Sequence, residues 1–157
     1  MVRHPFERIL SAYRDKIEDS SKNYYHHHIR KMKKNNNSTL NENKVKVKFV
    51  DFIRYIVNSR GYDEHWVPYY LACTPCLMRY TAIFKTETMW QDQKELSKKL
   101  NSTAHFNWLH EHKDGPTSVV WRDYYKAIPK DLIKQLYHKY KVDFDLFDYS
   151  PKEYLNL

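Results

Sequence analysis

A chain of 157 residues, 41% hydrophobic and 29% charged, suits one domain with a buried core and has an ordinary globular composition. It contains no run of about 18 apolar residues, and residues 1–20 carry charge throughout, so these 157 residues hold neither a hydropathic membrane span nor a signal peptide. The net charge of +8 is concentrated: residues 22–48 carry eight Lys or Arg against the single acid Glu42, a net +7 in 27 residues.

In chain order, Met1 and Val2 read as the end of a strand, and Pro5 as the first residue of a helix. Phe6, Ile9, Leu10, Tyr13 and Ile17 recur at helical spacing and predict a helix over about 5–18. The basic stretch "KNYYHHHIRKMKKNNNSTLNENKVKVK" at 22–48 is polar and Asn-rich, with little apolar periodicity before Val45. It is expected to be a solvated loop or insertion, either a solubilising segment or an electrostatic contact for a polyanion. Its triple His reads as loop composition, and Tyr24 and Tyr25 as aromatics free to face a glycan. Phe49, Phe52, Ile53 and Ile56 predict a second helix ended by Gly61.

"YTAIF" at 80–84 reads as a short buried strand, followed by a helix from about Glu87 to Leu100 with Thr86 or Thr88 as its cap. Residues 101–118 read as loop, with Asp114, Gly115 and Pro116 marking a turn. A last helix starts at Pro129, with Leu132, Ile133, Leu136, Tyr137 and Tyr140 on one face. Helices separated by short strands point to an α/β fold with a partial parallel sheet flanked by helices, in one domain over 1–157.

Chemistry concentrates at the opening. A helix N-terminus behind a strand end presents unpaired backbone N–H groups and a positive dipole end. Arg3 stands just ahead of it with a planar fork suited to phosphate, and Ser11 offers a hydroxyl. The structural alternative is that Arg3 pairs with a carboxylate and Ser11 bonds back to its own helix. Asn36, Asn37 and Asn101 stand in Asn-x-Ser/Thr triplets and are glycosylation candidates.

"VRHPFERILSAYRDK" resembles the 3′-phosphate-binding motif of the sulfotransferases, Arg-x-Pro-x-x-Arg-x-x-Ser-x-Tyr, as it occurs in Golgi carbohydrate sulfotransferases of the chondroitin, dermatan and HNK-1 branch. The likeness continues in the family's order through "DEHW" at 63–66, "CTPCLMRY" at 73–80, "FKTET" at 84–88 and "YKVDFDLFDYS" at 140–150. It implies a P-loop-like fold and 3′-phosphoadenosine 5′-phosphosulfate as the co-substrate, with no metal. Arg3 and Ser11 would hold the 3′-phosphate, and Arg8 would either support that site or brace the helix. Lys85 and Glu87, where the strand meets its helix, become a possible donor or acceptor contact. Phe84 and Thr81 depart there from the family's usual Gly and Asp.

The resemblance also implies an anionic glycan or glycosaminoglycan as acceptor and the Golgi lumen as location, within a type II membrane protein. In the family a 5′-phosphosulfate loop precedes the 3′-phosphate motif. The chain has only Gly61 and Gly115 as glycines, neither in a phosphate-cradling loop. It is therefore expected to be the C-terminal part of a longer sulfotransferase, lacking the first strand–loop–helix unit and an anchor, and inactive by itself. His65, inside "DEHW", is a weak candidate for proton transfer; packing in a structural turn is the alternative. Cys73 and Cys76 lack two further zinc ligands at suitable spacing, and in an oxidising lumen would form a disulfide, together or with a Cys elsewhere. The competing function is a non-catalytic module that binds an anionic glycan through the basic stretch. No nucleic-acid recognition motif is present, so nucleic acid is not an expected partner.

Overall fold

The computed structural model describes residues 1–18, 25–34, 46–101 and 117–157. Asn36, Asn37, Tyr24 and most of the expected 101–118 loop lie outside these residues. Helix α1 spans Pro5–Tyr13 and continues into a π-helical stretch, Arg14–Glu18. It starts as the sequence predicts: Pro5 takes the first turn, where its missing N–H costs nothing. His4 is the N-cap, its Nδ1 accepting from the Phe6 N–H at 3.3 Å. The predicted stripe is the core: Phe6, Ile9 and Leu10 are fully buried, with Tyr13 and Ile17 nearly so. Burying each such side chain stabilises the fold by about 1.5–3 kcal/mol.

Helix α2, His26–Lys34, lies inside the stretch expected to be loop. Tyr25, Ile29 and Met32 recur at spacings of four and three, and all three join the hydrophobic core. Three apolar side chains on one face suffice to dock a helix whose other face is basic, so the expected solvated loop is corrected over 25–34, and a glycan-facing Tyr25 with it; residues 22–24 and 35–45 lie outside the described residues. Helix α3, Phe49–Asn58, buries its predicted face and packs against α7, Lys130–Leu146. Gly61 does not end α3. Lys139 of α7 donates through Nζ to the carbonyls of Ser59 (2.6 Å) and Val57 (3.3 Å), supplying the partners a C-terminal glycine turn would otherwise recruit.

A short turn of helix, α4 (Tyr69–Ala72), precedes α5 (Met89–Lys99), whose N-cap is Thr88. Helix α6, Thr117–Tyr125, packs on α1, and α7 starts behind Pro129 as expected. Helix α8, Lys152–Leu155, closes on α7 and buries Tyr154.

Among the described residues the only β pairing is one parallel bridge, Val2 to Lys85. The Val2 N–H donates to the Phe84 carbonyl at 2.7 Å, and the Thr86 N–H to the Val2 carbonyl at 2.9 Å. The expected buried strand at 80–84 is corrected: residues 80–83 are exposed, with Ile83 at 45%, and only Lys85 makes the bridge. A parallel strand is buried by neighbours on both sides and helices on both faces, and none of the described residues covers 80–83.

Candidate anion site at the first turn of α1

The bridge between Val2 and Lys85 carries two separate sequence elements to one place. Beside it, the His4 N–H donates to Glu87 Oε1 at 2.7 Å. The other oxygen of that carboxylate accepts from the Tyr149 hydroxyl at 2.9 Å and from Thr86 Oγ1 at 3.3 Å. Lys85 Nζ donates to the Asp148 carbonyl at 3.2 Å and lies 4.6 Å from the centroid of the Tyr149 ring. Arg3 reaches along α1 to pair with Glu7, Nη2 to Oε2, at 3.3 Å. Ser11 stands one turn beyond Glu7 on the same stripe of the helix, half-buried. The structure thus gathers Arg3, Lys85 and Glu87 about the N-terminus of α1, with Ser11 further along one face.

Burial dominates the electrostatics here. It raises the Glu7 carboxyl above its ordinary range, against the pull of Arg3. It raises the Tyr149 hydroxyl, helped by the Glu87 charge, so this phenol stays protonated and donates. Burial also lowers His4, whose ring stacks on Tyr154 at 4.9 Å. That agrees with its bonds: Nδ1 accepts from Phe6, leaving Nε2–H to donate to the Ser150 carbonyl at 3.2 Å.

Arg8 faces another way. Its guanidinium stacks 3.9 Å over the Tyr69 ring, with Nη2 3.6 Å from Asp143 Oδ2. Asp143 in turn accepts from the Tyr69 and Tyr70 N–H groups at 2.6 and 2.9 Å, capping α4 from the side.

His65 belongs to a second cluster. Its Nδ1 is 2.8 Å from Asp63 Oδ1 and 3.0 Å from the Tyr25 hydroxyl. The other Asp63 oxygen lies 3.5 Å from His28 Nε2, and His28 Nδ1 meets the Tyr55 hydroxyl at 2.9 Å. This network ties α2 to α3 and to the 63–66 turn, where Trp66 is buried against Phe52. Among the described residues no group of three His, Cys, Asp or Glu side chains is arranged to hold a metal. Cys73 and Cys76 are both thiols, Cys76 exposed. Asn101 is exposed just past α5, with φ +49°.

The sulfotransferase family profile matches residues 1–150 of the chain. The chain belongs to the sulfotransferase family. Carbohydrate sulfotransferase 11 of Rattus norvegicus is 29% identical over 167 residues, covering 99% of this chain and 47% of the relative. Carbohydrate sulfotransferase 12 of Mus musculus is 31% identical, covering 98% and 40%, and carbohydrate sulfotransferase 9 of Homo sapiens 31%, covering 95% and 36%. The chain therefore spans less than half the length of these relatives. No solved structure matches it. Family membership implies a P-loop-like α/β fold, of which the described residues contain the helices and one parallel bridge.

Reading the sequence missed His4, Tyr149 and His28. His4 and Tyr149 lie inside the quoted motifs, between Arg3 and Pro5 and at the end of "YKVDFDLFDY". His28 carried no such signal.

Proposed function

We propose that this chain is part of a carbohydrate O-sulfotransferase that moves a sulfuryl group from 3′-phosphoadenosine 5′-phosphosulfate to a hydroxyl of a chondroitin, dermatan or related glycan. The observation that carries the reading is the gathering of Arg3, His4, Lys85 and Glu87 at the first turn of α1, in a chain of this family. The residues suit the nucleotide. Arg3 is 23% exposed, and its fork is matched to phosphate; Lys85 adds a second cation beside a helix N-terminus. In this reading Arg3 and Ser11 hold the 3′-phosphate, and Arg8 braces α1 from within. The nucleotide supplies the activated sulfuryl group. The acceptor hydroxyl must lose a proton, and His65, oriented by Asp63, is the candidate to take it. Turnover by a longer form carrying His65→Ala at the rate of its parent would remove His65 from that role. The proposal includes a place in the Golgi lumen within a type II membrane protein; among the described residues no helix is long and apolar enough to cross a membrane. The 157-residue chain alone is proposed to bind the nucleotide without turning it over.

Calorimetry with adenosine 3′,5′-bisphosphate and adenosine 5′-monophosphate tests the reading. The bisphosphate is expected to bind at least about tenfold more tightly, the contribution of a charge-assisted pair, and Arg3→Ala to erase the difference. Equal affinities in the unmodified chain would overturn it.

A second reading rests on α2, whose outer face exposes Arg30 and Lys31 while its inner face is anchored in the core. In that reading the chain is a non-catalytic module for an anionic glycan. Heparin retention that survives Arg3→Ala but is lost on reversing Arg30 and Lys31 to Glu would favour it.

A further inference from the structure

The C-terminal element "YKVDFDLFDY" takes no part in the proposed chemistry, yet its members reach three of the other four family-like elements. The Tyr140 hydroxyl donates to the Trp66 carbonyl in the "DEHW" turn. Asp143 meets Arg8 and the N–H groups opening α4. Phe144 packs edge-on against His4 and Phe6. Tyr149 then crosses to Glu87.

The route to Tyr149 is built by the end of α7. Asp148 takes φ +50°, and the Tyr149 N–H returns to the Phe144 carbonyl at 3.0 Å. That is the closing bond of a Schellman turn, in which the residue at φ > 0 is usually glycine. Asp148 adopts it instead, and the turn aims the Tyr149 ring back over Lys85 and His4. Three bonds then close on the site: Tyr149 to Glu87 and the Asp148 carbonyl from Lys85 hold the 85–87 segment, and the Ser150 carbonyl accepts from His4, beside Arg3.

We propose that Tyr149 is a positioning residue for the anion site: by donating to Glu87, it fixes the carboxylate that holds the His4 N–H, and so sets the backbone from which Arg3 projects. The inference rests on the nucleotide reading above. Glu87 is then a clasp rather than a ligand contact, since a carboxylate that faced a phosphate would repel it. One oxygen of Glu87 serves the backbone of the anion-binding segment and the other the C-terminal turn, so the carboxylate, 83 residues from His4 and 62 from Tyr149, links the two ends of the chain.

The test uses the 157-residue chain and the ratio of affinities for adenosine 3′,5′-bisphosphate and adenosine 5′-monophosphate. Tyr149→Phe removes only a hydroxyl and is expected to lower that ratio about tenfold, with monophosphate binding unchanged. Glu87→Ala breaks the same link from its other end and is expected to do the same. Glu87→Gln is expected to restore the ratio, because an amide offers its oxygen to the His4 N–H and its NH2 to the Tyr149 oxygen. A ratio unchanged in Tyr149→Phe, an equal loss for both nucleotides, or a loss in Glu87→Gln as large as in Glu87→Ala would overturn the positioning role. If the unmodified chain shows no preference for the bisphosphate, the nucleotide reading itself fails, and the positioning role with it.

Discussion

Arg8 and Asp143 meet across the core, Nη2 to Oδ2 at 3.6 Å, with the Asp143 side chain wholly buried and Arg8 12% exposed. Asp143 is better supplied with partners than Arg8. It takes two backbone N–H bonds, whereas Arg8 Nε and Nη2 have no hydrogen bond and rely on the Tyr69 face and the nearby charge. Burial raises the Asp143 carboxyl, and the Tyr70 and Tyr69 N–H groups and Arg8 pull it back.

The two partners therefore depend on each other unequally. Asp143→Ala leaves a buried guanidinium and two N–H groups unsatisfied and is expected to cost about 3–5 kcal/mol in urea unfolding. Arg8→Met with Asp143→Leu, which removes both charges, is expected to be less damaging than Asp143→Ala alone. A double variant less stable than Asp143→Ala would show that the pair stabilises the fold through its charge and not merely by satisfying its own members.

Helix α2 makes a sharper claim about the basic stretch. Met32 is 2% exposed and packs in the core with Tyr25 and Ile29. Met32→Ala is expected to cost about 2–5 kcal/mol, as for other core truncations to Ala, while Lys31→Ala on the exposed face changes stability by less than about 0.5 kcal/mol. Equal, small effects at both positions would mean that this helix is not docked.

How much of this was legible in the sequence depended on how many residues carried each signal. Helices α1, α3 and α7 have four or five apolar residues at regular spacing, and that period locates all three and the starts of α1 and α7, though not where they end. Helix α2 has three, surrounded by eight cationic residues over 22–48, and charge density masked its period. "YTAIF" has the composition of a strand, but a strand exists only as a partner in a ladder, and local sequence does not report the partner. At the site, Arg3 and Lys85 were named, but their convergence was not, because a parallel bridge joins residues 83 positions apart. Gly61 misled for the opposite reason. A cation from α7 had already closed the end of α3.

Two histidines set a pH dependence. Burial, the largest influence on each, holds His4 and His28 below the ordinary 6.5. A group depressed in the folded state takes up its proton first in the unfolded chain, so its contribution is complete above about pH 6.5 and is lost as pH falls through the folded value. For His4 the loss is structural as well, because protonating Nδ1 removes the acceptor that caps Phe6. Stability by urea unfolding is expected to fall between pH 7.5 and 5.5, with a slope of at most about 1.4 kcal/mol per pH unit for each proton. The variant carrying His4→Asn and His28→Asn, in which Asn keeps a cap acceptor at position 4, is expected to flatten the curve. A slope undiminished in that variant would assign the dependence to other groups.

Glu7 competes with any anion for Arg3. The two are paired at 3.3 Å, with Glu7 13% exposed, so a phosphate must either displace the carboxylate or share the guanidinium with it. A carboxylate about 5 Å from an incoming charge contributes roughly 3 kcal/mol of repulsion at an effective dielectric of about 20, more than the positioning lost by weakening one hydrogen bond. Glu7→Gln keeps an acceptor for Arg3 and removes the charge. It is expected to tighten adenosine 3′,5′-bisphosphate binding by about tenfold or more at pH 7.5. Because burial raises the Glu7 carboxyl, the unmodified chain is expected to approach the affinity of the variant as pH falls and Glu7 takes up a proton. Calorimetric titrations of both proteins at pH 7.5 and 5.5 measure the gap. A constant gap would mean that Glu7 stays charged beside the bound phosphate, and weaker binding by Glu7→Gln at both pH values would mean that the carboxylate serves the site by holding Arg3 in place.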